Sequence, residues 1–413
     1  MEEKKLRIVL VVPPSRKDFY SQLSELENAE VYILWYVKKK ADNAQPLDFI
    51  VGQYYWSDYR TPYSFLRKVK PDRIVFFEMI DLRQIALIIS ARSMKIPTFY
   101  LEHGAAGDKQ TTLKRFNEVS FLKHKLPRLF RRFISDLPDI FSSKIFYYSV
   151  YKKFDSFRSY LKYLLLPVQI LRAAPKKVLR KNIFRERIPD HLIVFSQINF
   201  EVVQLYTGIK KEDAFLTGLP FFDKYFSPSA AVHNYVVYIE HPYLEGNLLG
   251  WTPAHHKQIA DELFDFAEKN KVKLYIKLHP VSNNSNWQRY SYNKDYVEII
   301  QHGDFTQLYL EAKLILGFSS SLITGLLCAK KNIVLLGWHP EPSIFGNDFS
   351  KTGLCHVSFS PSELNTKYQY WVNHNLAQEN EIAYNEFLTN CNYPFDGKAT
   401  ERVLKIITEH EVS

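Results

Sequence analysis

Glycine is scarce in this chain of 413 residues, with only 14, and neither GxGxxG nor GxxxxGK[ST] occurs. A glycine-rich loop wrapped around a phosphate is therefore not the device this protein relies on. No serine sits in a Gly-x-Ser-x-Gly elbow, which removes the common serine-hydrolase arrangement. No Asp-x-Asp closes a strand-like run, so a nucleotide carried by a divalent metal is not expected, and no other cofactor is called for. The three cysteines, Cys328, Cys355 and Cys391, have no pair spacing; they offer no zinc motif and suit a reducing compartment. No apolar run reaches membrane-spanning length, and the nearest, Tyr163 to Leu171, is closed in by Lys162 and Arg172. Met1-Glu2-Glu3-Lys4-Lys5 leads straight into an apolar strand rather than a signal peptide, so a cytoplasmic location is expected. Internal repeats and low-complexity segments are also lacking.

Aromatic residues, by contrast, are plentiful, with 27 Tyr and 30 Phe, and the net charge is +10. That charge is local. Lys114 to Arg187 holds nineteen Lys/Arg against five acids, a balance of 19 − 5 = +14, which leaves +10 − 14 = −4 for the rest. Within this segment Val150, Phe154, Phe157, Leu161 and Leu164 recur at helical steps beside Lys152, Lys153, Arg158 and Lys162; Leu122, Leu126, Leu129, Phe130 and Phe133 do the same beside Lys123, Arg128, Arg131 and Arg132. Such helices fit a core face backed by a solvated face, and equally fit attachment to an anionic membrane surface. Basic residues interleaved with aromatics also fit a non-catalytic nucleic-acid or membrane adaptor. No recognised nucleic-acid module is present, however, and nucleic acid is not the expected partner.

The remainder alternates between apolar runs and helical patterns. Leu6–Val12, Val31–Tyr36, Arg73–Phe77, Thr98–Leu101 and His191–Phe195 read as strands, with helices over Asp18–Leu26, Tyr63–Val69, Leu82–Met94 and Asn199–Tyr206. After a linker at Ser227–His233 the grammar restarts with strands at Tyr235–Ile239, Val272–Leu278, Lys313–Leu316 and Ile333–Leu336. Helices are expected at Pro253–Asn270 and Ser321–Ala329, and a terminal one at Lys398–Glu411. The pattern predicts an α/β protein of two Rossmann-like halves. The first spans 1–226, with a basic helical insertion at about 113–188 in the sequence. The second spans 234–394, and residues 395–413 form a terminal helix that crosses back to the first.

In parallel sheets ligands gather at the carboxyl ends of strands. Polar tips fall there: Glu78, Glu102-His103-Gly104, Glu240-His241-Pro242, His279-Pro280, Gly317-Phe318-Ser319-Ser320-Ser321 and His339-Pro340. Hydroxyls at the start of a helix bring side-chain donors, free N–H groups and the positive dipole end together, which suits a phosphate. His279 opposite them can share that phosphate or protonate it as it leaves, and Glu102 or His103 can take a proton from an attacking hydroxyl. The plain alternatives are strand-end and helix caps for His279 and the serines, and a loop-orienting ion pair for Glu102 and His103.

Leu101-Glu102-His103-Gly104, then His279-Pro280, then Ser319-Ser320-Ser321 resemble in order and spacing the motifs of GT-B glycosyltransferases that use CMP- or CDP-activated donors. The resemblance is to bacterial sialyltransferases and polysialyltransferases, whose first motif is acidic-acidic-Gly; His103 stands where an acid is usual. Gly218-Leu219-Pro220-Phe221-Phe222-Asp223 and Phe318-Ser319-Ser320 are similar instead to segments of the teichoic-acid glycerophosphotransferases. The resemblance implies a GT-B fold with a central cleft, and an inverting, metal-independent enzyme. It implies transfer of a sialic acid or Kdo type sugar from a CMP donor to a cell-surface glycan or glycolipid at the inner membrane face. His279 and the serines would hold the phosphate, with Pro280, Gly317, Glu240 and His241 around the donor, and His103 or Glu102 as base. The teichoic likeness implies transfer of glycerol phosphate or ribitol phosphate from a CDP donor instead.

Overall fold

The computed structural model describes residues 5–12, 20–35, 47–104, 141–150, 154–172, 175–227, 231–290, 292–341 and 349–410. Among them a first sheet contains β1 (Leu6–Val12), β2 (Ala29–Trp35), β3 (Ile50–Tyr55), β4 (Arg73–Phe76), β5 (Thr98–Leu101), β6 (His191–Val194) and β7 (Ala214–Leu216). Their order is β3-β2-β1-β4-β5-β6-β7, and every neighbouring pair is parallel. A second sheet contains β8 (His233–Ile239), β9 (Lys273–Lys277), β10 (Val297–Ile300), β11 (Ala312–Gly317), β12 (Ile333–Leu336) and β13 (His356–Ser358). Its order is β10-β9-β8-β11-β12-β13, again parallel throughout.

Parallel strands cannot be joined by tight turns, so helices must cross over and cover both faces. The central strands are accordingly apolar on both sides: Ile8 to Val12 of β1 are fully buried. The crossover helices begin at side-chain caps. Thr61 accepts from the Ser64 N–H at 3.0 Å, with Pro62 as the first helical residue of Pro62–Val69. Asp81 accepts from Arg83 N–H at 2.8 Å while Gln84 reaches back to the Asp81 N–H, a capping box for Leu82–Ser93. At 18–26, where a helix is expected, the described residues make a 3-10 turn over Ser21–Glu25, with Leu23 the residue of that turn that is buried and Tyr20 buried just before it.

The chain divides into two compact units. Unit 1 takes the residues up to Gly104, those from 141 to Phe221, and the tail from Lys398; unit 2 runs from Phe222 to Gly397. The terminal helix Ala399–Glu409 buries Val403 and Ile407 within unit 1, and its Arg402 Nε donates to the Thr217 carbonyl at 2.9 Å. In unit 2 the ring of Phe222 lies against the face of the helix Ser321–Cys328 at Gly325.

Of the basic segment, Leu122 to Phe133 lies outside the described residues. The described helices are 141–148, Phe157–Arg172 and Pro175–Lys181. The apolar set expected to form one face divides in two. Val150 is buried, and Phe154 and Leu164 pack on the core of unit 1. Phe157 is 79% exposed and Leu161 45% exposed. The inward face is carried instead by Tyr163 and Leu166, with Tyr163 stacked on Tyr147 at 4.4 Å between ring centroids and its hydroxyl bonded to the Tyr147 carbonyl. Leu165 and Val168 join Phe157 and Leu161 outside, and Phe141, Ile145 and Tyr148 are exposed on the helix beside it. Arg158 of Phe157–Arg172, and Lys177, Arg180 and Lys181 of the next helix, are exposed. Among the described residues no helix is long and apolar enough to cross a membrane.

Candidate functional site

In unit 2 the strand order reverses between β8 and β11, and a ligand in an open α/β sheet binds outside the carboxyl ends at such a switch point. Four adjacent tips bring the polar residues of this unit together there. Glu240-His241 follows β8, His279 follows β9, Gly317 to Ser321 closes β11, and Gln301 follows β10. The rings of His241 and His279 are 6.2 Å apart, and His241 Nε2 lies 3.2 Å from the Ser319 carbonyl.

The three serines have different tasks. Ser319 is held by His241 at its carbonyl and by the Tyr243 hydroxyl at its side chain. Ser320 is the N-cap of Ser321–Cys328: its Oγ accepts from Leu322 N–H at 3.3 Å and its carbonyl from Ile323 N–H at 3.0 Å. Ser321 is the first helical residue and is exposed. A hydroxylated helix start with its dipole end at the switch point can bind an anion. Gly317 is buried at the end of β11. A Cβ there would meet Ile323 at 3.6 Å and Ile239 at 3.7 Å, ordinary contacts, so packing does not demand glycine.

His279 is half-buried, and Pro280 after it is exposed. Its Nδ1 accepts from the Val281 N–H at 3.3 Å, so that nitrogen carries no proton and the hydrogen of the neutral ring sits on Nε2. Burial, with smaller contributions from His241 and Lys277, pushes its pKa below the ordinary histidine value. The neutral ring thus offers Nε2–H as a hydrogen-bond donor, and the expected transfer of a proton from His279 to a leaving phosphate calls on the charged form that burial disfavours.

Glu240 is enclosed at the end of β8. It is 3% exposed, and its Oε2 accepts from the His279 N–H at 2.9 Å and from the Ser282 hydroxyl at 2.6 Å. Burial pushes its pKa up to about 7 against those two hydrogen bonds. Expected among the donor contacts, Glu240 is hydrogen-bonded here to the turn that carries His279. His241 is largely enclosed, and burial lowers its pKa although the Glu240 and Ser319 carbonyls favour its charged form. His339 is structural: its Nδ1 accepts from Trp251 Nε1 at 3.0 Å, its ring packs on Phe318 at 4.6 Å, and burial pushes its pKa down to about 4.

In unit 1 Glu102 extends the β5–β6 pairing, its N–H donating to the Ile193 carbonyl at 2.9 Å. The buried carboxylate accepts from Tyr100 OH at 3.0 Å and from the His103 N–H at 2.9 Å. His103 is more open, with Nδ1 3.8 Å from Glu102 Oε1, an ion-pair distance rather than a hydrogen bond. Asn199, bonded to Ser196 Oγ at 2.6 Å, donates to the Gly104 carbonyl at 3.1 Å and fixes the end of the motif. Burial and the Glu102 charge hold the Tyr100 hydroxyl well above the usual tyrosine range. The switch point of this sheet falls one strand away, between β1 and β4, where Glu78 follows β4. Among the described residues no three His, Cys, Asp or Glu side chains converge as metal ligands would.

Tyr100, Asn199 and Gln301 carry no signal in the sequence, since their contacts come from which strands lie side by side. Ser282 has one, its place three residues beyond His279 in a turn.

No protein-family model matches the sequence, and no curated protein matches it. Solved structures are similar in fold. A putative UDP-N-acetylglucosamine 2-epimerase from Listeria monocytogenes is 12% identical, with a TM-score of 0.52, over 98% of this chain and 96% of that one. The wall teichoic acid polymerase TagF is 11% identical, with a TM-score of 0.52, over 98% of this chain and 88% of that one. The architecture is the GT-B one, two parallel sheets of Rossmann-like type.

Proposed function

We propose that the protein is an inverting glycosyltransferase that moves an acidic sugar of the sialic acid or Kdo type from a CMP-linked donor to a surface glycan or glycolipid. The observation that carries this proposal is the tip cluster of unit 2: the donor nitrogen of His279 beside the Ser320-capped helix at the sheet's switch point. The fold shared with a nucleotide-sugar epimerase and a teichoic acid polymerase supports a nucleotide-linked donor. The acceptor hydroxyl attacks the anomeric carbon, the bond from that carbon to the phosphate oxygen breaks, and CMP leaves with the electron pair. Nε2–H of His279 and the helix start stabilise the charge that grows on the phosphate, a contribution worth about 10²–10³ in rate for one donor. The acceptor proton goes to His103, with Glu102 beside it as orienting carboxylate, since both oxygens of Glu102 are already hydrogen-bonded. In this proposal the reaction uses no metal or other cofactor.

Calorimetry with a nucleotide panel tests the donor. CMP and CDP should bind well above UMP and GDP; a UDP or GDP preference, or salt-sensitive DNA binding with no cytidine affinity, overturns the proposal. His279→Ala should lower turnover by about 10²-fold or more with the fold intact, and near-normal activity sinks the assignment. The alternative, supported by the likeness to TagF and by Gly218 to Asp223, is transfer of glycerol phosphate or ribitol phosphate from a CDP donor. The acceptor then attacks the β-phosphorus instead, and product analysis separates the two.

We further assign the exposed apolar and basic face of Phe157–Arg172 and its neighbours to an anionic membrane surface, at the inner face of the cytoplasmic membrane where a glycolipid acceptor would lie. In flotation with vesicles containing about 30% phosphatidylglycerol the wild type should float, and Phe157→Asp with Leu161→Asp should not. Equal behaviour of the two removes the assignment.

A further inference from the structure

We propose that Glu240 and Gln301 are positioning residues that close on the His279–Ser282 turn from the strands on either side, so that the imidazole presents one nitrogen in one direction. The proposal rests on the donor-phosphate role given to His279 above and deepens it.

The turn is bound on every side but one. From β8, Glu240 Oε2 takes the His279 N–H at 2.9 Å and the Ser282 hydroxyl at 2.6 Å. From the tip of β10, Gln301 Nε2 donates to the His279 carbonyl at 3.2 Å and to the Ser282 carbonyl at 2.8 Å. Across the turn, Ser282 N–H donates to the His279 carbonyl at 2.9 Å and Val281 N–H to His279 Nδ1 at 3.3 Å. The chain just after it is held as well, Glu245 Oε1 accepting from Asn283 N–H and Asn286 Nδ2, each at 2.9 Å. Among the described residues no hydrogen bond reaches Nε2. An ordinary strand end needs one acceptor for its last N–H. Here a carboxyl and a carboxamide from opposite neighbours fix both ends of a four-residue turn, and the one group left over is the donor nitrogen of a half-buried imidazole. Ring orientation and tautomer are thereby set before any ligand arrives.

The test compares Glu240→Gln, which keeps an oxygen for both donors, with Glu240→Leu, which removes the acceptor at similar volume. CMP affinity is read by calorimetry and the His279 tautomer by long-range ¹⁵N–¹H correlation in the full chain. Wild type and Glu240→Gln should show a single Nε2–H tautomer and bind CMP within about threefold of each other, because both hydrogen bonds survive. Glu240→Leu should mix tautomers and bind CMP at least about tenfold more weakly while remaining folded by circular dichroism. Should that variant fail to fold, Gln301→Ala carries the same expectation from the other side. A folded Glu240→Leu or Gln301→Ala with wild-type tautomer and wild-type affinity overturns the proposal. A purely structural role would lower the melting temperature and leave the nitrogen resonances unchanged. Wild type that binds no CMP overturns the donor assignment instead, and the resonances still decide whether the turn is clamped.

Discussion

At the scale of single residues, the chemistry of unit 2 turns on one carboxyl held away from water. Burial raises Glu240 from 4.5 to about 7, so between those values the folded chain keeps a proton that the unfolded chain has released. Its contribution therefore favours the folded state at acidic pH and is lost as pH rises through about 7. His256 and His339 run the other way: burial lowers each from 6.5 to about 4, and the stability they represent, present above 6.5, is lost as pH falls through about 4. The three overlap in total stability, but a difference between two proteins isolates one. Glu240→Gln cannot ionise, so its melting temperature minus that of wild type should increase steadily from about pH 5 to about pH 8. A flat difference would show that Glu240 ionises as an exposed carboxyl does.

At the scale of elements, the helix carrying the serines depends on a contact that its own sequence does not reveal. Gly325 lies under Phe222, and a Cβ there would come within 2.7 Å of the ring. Gly325→Ala should destabilise unit 2 by about 1–3 kcal/mol, as overpacking does in tight cores. Phe222→Leu in the same chain should recover part of that loss in urea unfolding, and purely additive effects would argue against the contact. The sheets also explain which strands could be read directly. Strands inside the two sheets, such as β1 with Ile8 to Val12 or β11 with Leu314 to Leu316, are covered on both faces and stand out as apolar runs. The four unread strands, β3, β7, β10 and β13, are the four sheet edges. There one side is open: β3 holds Gly52 and an exposed Val51, β10 an exposed Glu298, and no run forms. The candidate site divides in the same way. His279, the serines and Glu102 were legible because polar residues at strand ends break the apolar pattern. The bonding of Glu240 to the His279 turn was not, because it depends on β8 lying beside β9, a contact between residues 39 apart in sequence.

At the scale of the whole molecule, the chain returns to unit 1 after completing unit 2, and that return has a measurable consequence. Ala399–Glu409 buries Val403, Ile406 and Ile407, fastens Arg402 to the Thr217 carbonyl, and sets His410 4.7 Å from Phe215 at the β7 edge. Three such side chains are worth about 1.5–3 kcal/mol each when removed from water, on the order of 4–9 kcal/mol together and an upper figure. A typical domain has about 5–15 kcal/mol in all. Deleting residues 398–413 should therefore leave unit 1 marginal or unfolded, while unit 2 is expected to keep its own transition. Calorimetry of the shortened chain should show the melting of unit 1 lowered by at least about 10 °C or lost, with the second transition unmoved. Were both transitions unchanged, the tail would be an accessory to the first unit; were both to fall together, the two units would unfold as one.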